Sequence, residues 1–140
     1  MKKIFVTIIL AFGLNFLWEI AQSFLYAPHY QGFGQLISVH LWASVGDVVM
    51  VAVILSITKI ISGRILKNKN KKLELFVIIL LGFFLAVAVE KYALANLMWA
   101  YNVWMPMIPF LKVGLTPVLQ MMLIPTAVWI FLKHIEKFEK

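Results

Sequence analysis

The chain has 140 residues, of which 63% are hydrophobic and 14% charged, with a formal net charge of +7; its mean hydropathy is +0.93. That balance excludes a soluble domain whose surface must face water and points to an integral membrane protein. The absence of cysteine excludes disulfides, thiolate nucleophiles and thiolate-bound metal or cluster sites.

Four apolar stretches follow in chain order, at about residues 4–26, 36–61, 73–98 and 107–132, each beyond the roughly 20 residues that cross about 30 Å of hydrocarbon. The first opens on "MKKIFVTIILAFGL", a basic start and apolar core of the secretory-signal kind. No convincing small-x-small cleavage site follows, and the apolar run continues past Trp18 and Glu19 to Tyr26, so the helix is expected to be retained. Between the second and third stretches lies a basic loop at about 62–72, in which "KIISGRILKNKNKK" carries Lys59, Arg64, Lys67, Lys69, Lys71 and Lys72. Lys2 and Lys3 begin the chain, and Lys133, Lys137 and Lys140 end it. Because cytoplasmic loops concentrate Lys and Arg, both termini and the middle loop are expected inside, with "APHYQGFGQ" and "WAYNVWMPMIP" outside. The predicted fold is therefore all-α: a single transmembrane domain over 1–140, a multi-pass cell-membrane protein with four helices arranged as two hairpins. Trp99, Tyr101 and Trp104 would form the outer aromatic belt and Trp129 part of the inner one. Pro117 and Pro125 are expected to bend the fourth helix.

Polar residues interrupt these stretches in register. Asn15, Glu19 and Gln22 are spaced by four and three and share a helix face beside Trp18. His40, Ser44 and Asp47 repeat that spacing, while Lys112, Thr116 and Gln120 are spaced by four and four. The third helix adds Glu90, with Tyr101 on roughly the same face and Lys91 turned away. Counted from the outer helix ends, Glu19 and Glu90 lie about 10–12 Å deep and Asp47 and Gln120 about 15 Å deep. This agreement across helices of alternating direction predicts one shared site, closed toward the cytoplasm by "IFVTIILAF", "VVMVAVILSI" and "ELFVIILLGFF". Glu19 and Asp47 flank the first outer loop as Glu90 and Gln120 flank the second. The pattern fits a parallel repeat, although any two hairpins crossing one bilayer would space residues in this way.

Amides and hydroxyls such as Asn15, Gln22, Ser44, Thr116 and Gln120 commonly join membrane helices to one another. Intramembrane carboxylates are functional candidates, because an insertion cost of about 2.5–3.5 kcal/mol is offset only by several Leu, Ile, Phe or Val at about 0.3–0.6 each. Glu19, Asp47 and Glu90 are thus the candidate acids and bases. His40 could join them as a nitrogen ligand, but no HExxH pair exists and a hydrogen-bonding histidine is expected instead, with no metal and no cofactor. His29 and His134 are expected on the surface, Lys91 snorkelling outward or neutralising an acid, and Met121 and Met122 as packing. No P-loop, GxGxxG or GxSxG motif occurs. The basic loop is expected to set topology and meet anionic lipid headgroups, not nucleic acid.

"NFLWEIAQSFLY", "WASVGDVV", "AVAVEKYA" and "MPMIPFLKVGLTPVLQ" together resemble a group of small four-helix bacterial integral membrane proteins, over most of the chain. That resemblance implies a topology and carries no activity. "NFLWE" alone is similar to the first acidic motif of integral-membrane terpene cyclases, longer chains with more helices, and this similarity implies a protonating role for Glu19 only. The expected function is acid/base chemistry on a lipid or isoprenoid, with Glu19 as proton donor and Asp47 or Glu90 as second acid or base. Asn15, Trp18, Gln22, His40, Thr116 and Gln120 would bind or orient the substrate. The alternatives are a proton- or cation-coupled carrier, which four helices would form as a homo-oligomer, and a non-catalytic assembly subunit.

Overall fold

The computed structural model describes residues 2–28, 30–65 and 70–138; the expectations for His29, Lys67, Lys69 and Lys140 lie outside them. Among the described residues the protein is all-α apart from one short β pair and a bridge between Tyr26 and Tyr101, with α1 (Lys2–Gln22), α2 (Gly32–Ile60), α3 (Lys71–Ala95) and α4 (Leu115–Phe138). All four helices are long and apolar enough to cross a membrane. One end of the bundle carries residues 23–28, 30–31 and 96–114 and is called the loop end; the opposite, terminal end carries Lys2, Ile61–Ile65, Asn70 and Phe138.

Local chemistry sets the helix boundaries. α1 tightens into a 3₁₀ turn at Ser23–Leu25 and becomes extended at Tyr26, two residues before Pro28, which disfavours helix at its predecessor. α2 starts four residues ahead of the expected 36. The Gln35 side-chain oxygen accepts from the Gln31 backbone N–H at 2.6 Å, supplying one of the partners that a helix start lacks. Its far end widens into a π turn at Ile61–Ile65. α3 is capped by the Asn70 side chain, which accepts from Lys72 N–H at 2.9 Å. It ends at Ala95 instead of 98, and Leu97 reverses the chain with a φ of 54°.

The largest departure is at the fourth helix, which begins at Leu115 and not at 107. Residues 107–114 form a small antiparallel pair, β1 (Met107–Ile108) and β2 (Val113–Gly114), with Lys112 at a φ of 55°. Pro106 and Pro109 cannot donate to a helix and push their predecessors toward extended backbone, so an apolar run that looks helical by composition folds back instead. Pro117 falls in the first turn of α4, where a missing N–H costs little; Pro125 alone lies in the helix interior.

α1 packs on α2, α3 on α4, and α1 also on α4, whereas α2 and α3 meet less extensively. Ala11, Val51, Ile124 and Val128 form the core toward the terminal end, while Ala86, Val113, Val118 and Met121 form a second core nearer the loop end. α3 and α4 approach closely at Gly82. A Cβ there would lie 2.8 Å from the Met121 carbonyl carbon and closer still to its oxygen. That oxygen would ordinarily accept from the N–H of residue 125, which proline does not have. The absent side chain of Gly82 thus makes room on α3 for the carbonyl that Pro125 releases on α4.

The distribution of polarity is inverted relative to a protein in water. Asn15 and Ser44 are 0% exposed and Gln120 2%, while Phe5 is 66% and Phe84 60% exposed. Among the described residues, no buried side-chain nitrogen or oxygen lacks a hydrogen-bond partner.

Candidate functional site

The site is built from the polar faces of the helices. On α1, Asn15 donates through Nδ2 to its own helix at Ala11 O, 2.9 Å away, which leaves Oδ1 directed across the bundle. There it accepts from Gln120 Nε2 of α4 at 3.0 Å. The other Nε2 hydrogen of Gln120 goes to Asp47 Oδ2 of α2 at 2.9 Å. Gln120 Oε1 accepts from Gln22 Nε2 at 2.9 Å, and Gln22 also donates to Glu19 Oε1 at 2.8 Å. Trp18 closes the chain, donating its indole N–H to Gln22 Oε1 at 3.2 Å.

This arrangement settles the amide orientations from within. Gln22 and Gln120 each spend both N–H groups and use their carbonyl oxygens as acceptors, and flipping either one would turn an N–H toward a donor. Glu19 and Asp47 each receive an amide hydrogen at the ends of the relay, so Asn15, Gln22 and Gln120 hold two carboxyl groups from different helices in fixed positions.

Glu90 is held from the opposite side. Trp99 donates its indole N–H to Glu90 Oε2 at 3.3 Å, and the Tyr101 hydroxyl donates to the same oxygen. Tyr101 in turn accepts from the Gly114 backbone N–H at 2.8 Å. Burial first, then the Glu90 oxygen it binds, push the Tyr101 hydroxyl above the ordinary tyrosine range, with the Gly114 N–H acting in the opposite sense; the phenol therefore remains a donor. The two loops of this end are joined by backbone bonds, Ala27 N–H to Ala100 O and Asn102 N–H to Leu25 O, both at 2.8 Å. Tyr26 packs against Trp99 and Tyr101, with ring centroids 6.4 and 5.7 Å apart, and the three rings roof the site.

Beneath that roof lies a cavity of about 500 Å³ lined by Glu19, Asp47 and Glu90 together with His40, Tyr26 and Gln120, within the size range of small-molecule sites. The carboxylates of three helices therefore share one cavity. His40 donates through Nδ1 to Leu36 O at 2.7 Å, which places its proton on Nδ1, and its carbonyl accepts from Ser44 Oγ at 2.7 Å. Among the described residues no group of three His, Asp or Glu side chains could hold a metal ion.

Asn15, Trp18 and Gln22 support the acids from behind and do not line the cavity. Thr116 is likewise absent from the lining, and its hydroxyl faces Met105 Sδ at 3.4 Å. Lys112 lies in the turn after β1 and is exposed, so the expected Lys112–Thr116–Gln120 stripe contains only its last two members. Trp99 and Tyr101, expected in an aromatic belt, turn inward to Glu90. Tyr101 shares roughly a helix face with Glu90 when counted through residue 101 as helix, but the contact depends on the chain reversing at Leu97, which has no local signal.

The terminal end, where the apolar stretches are expected to close the site, also holds a buried polar cluster. Glu74, 8% exposed, accepts from Trp129 Nε1 at 2.9 Å and from Ser62 Oγ at 3.4 Å, and pairs with Lys133 Nζ at 3.3 Å. Lys133 also stacks over Trp129, 5.6 Å from the ring centroid. The available signal was Trp129 and Lys133 four residues apart on α4, one helix face offering two donors. This cluster ties α3 to α4 at the end remote from the cavity.

Comparison with known protein families, with characterised proteins and with solved structures finds no match to this chain.

Proposed function

We propose that this chain crosses the cell membrane four times, with both termini and the basic α2–α3 connection in the cytoplasm, and that its cavity performs acid/base chemistry on a lipid or isoprenoid. Insertion is supported by the inverted polarity of the bundle, with buried amides and carboxyls inside and exposed Phe5, Phe84 and Ile130 outside. The orientation rests on the placing of Lys and Arg, and the chain's lack of cysteine makes it testable. Single cysteines at Val103 and Lys137 should react with a membrane-impermeant maleimide from opposite faces.

The single observation that carries the chemistry is that Glu19, Asp47 and Glu90, from three helices, line one cavity. In this reading Glu19 donates a proton to the substrate and Asp47 or Glu90 receives one, while Gln22 and Gln120 fix the two acids of the amide relay. The resemblance of "NFLWE" to membrane terpene cyclases gives Glu19 the same role. An apolar core of Ala11, Val51, Ile124 and Val128 lies toward the terminal end; this favours an enzyme over a carrier, which would need a polar route onward.

The Glu19→Gln variant keeps an oxygen to accept from Gln22 and removes the transferable proton. Lipid extracts of membranes bearing the wild type should contain a product missing from those bearing the variant at equal protein level. Identical lipid profiles would remove Glu19 from the mechanism.

A further inference from the structure

The cavity lining combines polar and apolar side chains, and part of it, on α2, is exposed. Its polar members are the three carboxyl groups, Gln120, His40 and Tyr26, while Met50, Ala86 and Val89 are among its apolar members. Ala43 and Gly46 of α2 line the cavity and are also exposed, which places a gap in the bundle wall on α2, a helix that meets α3 and α4 less extensively than it meets α1. Trp42, 75% exposed, stands at its edge. None of the described lining residues is Lys or Arg; Lys91 is exposed and Lys112 lies in the β turn, neither of them on the lining.

We propose that the cavity receives a single-chain lipid through the gap at Ala43 and Gly46, and that the lipid's head donates hydrogen bonds and carries no phosphate, as a hydroxyl or an amine does. This rests on the reading of the bundle as a lipid-facing membrane protein. The apolar lining takes chain carbons and the carboxyl and amide oxygens take the head's hydrogens. A phosphate would bring negative charge beside the carboxylate that acts as proton acceptor, Asp47 or Glu90, with no Lys or Arg among the described lining residues opposite it, a juxtaposition that discriminates strongly between ligands. The small residues at the mouth leave room for one chain: a Cβ added at Gly46 meets nothing within 4 Å.

The test is native mass spectrometry of the purified full-length chain, incubated in detergent with equimolar hexadecanol, hexadecylamine and hexadecyl phosphate. Hexadecanol or hexadecylamine adducts should exceed the phosphate adduct by about tenfold or more, the size of a like-charge penalty. Gly46→Leu, which fills the mouth from a position free of backbone conflict, should reduce the favoured adduct by a similar factor. Gly13→Leu, at another glycine with nothing within 4 Å and away from the cavity, should leave it unchanged. Equal or stronger retention of hexadecyl phosphate, or undiminished binding by a folded Gly46→Leu, would overturn the proposal. Selective binding without any Glu19-dependent product would overturn the catalytic reading alone; Glu19-dependent turnover together with a preference for the phosphate probe would overturn this one alone.

Discussion

Gly82→Ala should be among the most damaging single-methyl changes available to this bundle. The added Cβ would sit 2.8 Å from the Met121 carbonyl carbon, and the obstacle is backbone, which cannot rotate out of the way as a side chain can. Restoring ordinary contact, which begins at 3.4 Å, requires α3 and α4 to part by more than about 0.6 Å at their crossing, because the carbonyl oxygen lies closer still than the carbon. That separation loosens the packing of Ala86 and Met121, members of one core cluster. Overpacking of this kind costs about 1–3 kcal/mol. Gly46→Ala provides the opposite case, with nothing within 4 Å of the new Cβ and the usual helical preference of alanine over glycine giving about 0.5–1 kcal/mol of stabilisation. Unfolding of the purified protein in micelles, followed by circular dichroism as temperature or dodecyl sulfate rises, measures both. Pro125→Ala in the Gly82→Ala background returns an N–H to the Met121 carbonyl, and the two changes should be non-additive by about 0.5 kcal/mol or more. Gly82→Ala melting with the wild type, or shifting in step with Gly46→Ala, would refute the close-approach account.

Gln120→Leu removes the partner of Gln22 Nε2, Asn15 Oδ1 and Asp47 Oδ2 together, and at about 0.6–2 kcal/mol for each interhelical bond the expected loss is roughly 2–6 kcal/mol in the same unfolding assay. Trp129→Phe deprives the buried Glu74 carboxyl of an N–H donor and should cost about 1.5–3 kcal/mol, the range for bonds to charged groups, without altering lipid binding at the remote cavity. Because the Tyr101 hydroxyl is raised in the folded state, the unfolded chain loses that proton first. Its contribution to stability is present below about pH 10 and declines as pH rises from there toward the folded value. Tyr101→Phe should abolish that part of the alkaline decline in melting temperature; an unchanged alkaline profile would contradict it.

Four apolar helices, and the polar positions Asn15, Glu19, Gln22, His40 and Asp47 on shared faces, were legible in the chain, because hydropathy and the 3.6-residue period are local properties. Glu19, Asp47 and Glu90 line one cavity, and the same counting sets them on faces that can meet. The start of the fourth helix is not legible from hydropathy, because the apolar run 107–114 has helical composition, while Pro106, Pro109 and the left-handed Lys112 make it a turn. Tertiary structure alone decided which side chains pair. The bonds of Gln120 span 73, 98 and 105 positions in sequence, and Glu74 reaches Trp129 across 55. No periodicity encodes such partners, since they exist only once helix packing has excluded every other donor and acceptor from reach. The inward turn of Trp99 and Tyr101 onto Glu90 has the same origin: it required the loop to close before a buried carboxyl could select them.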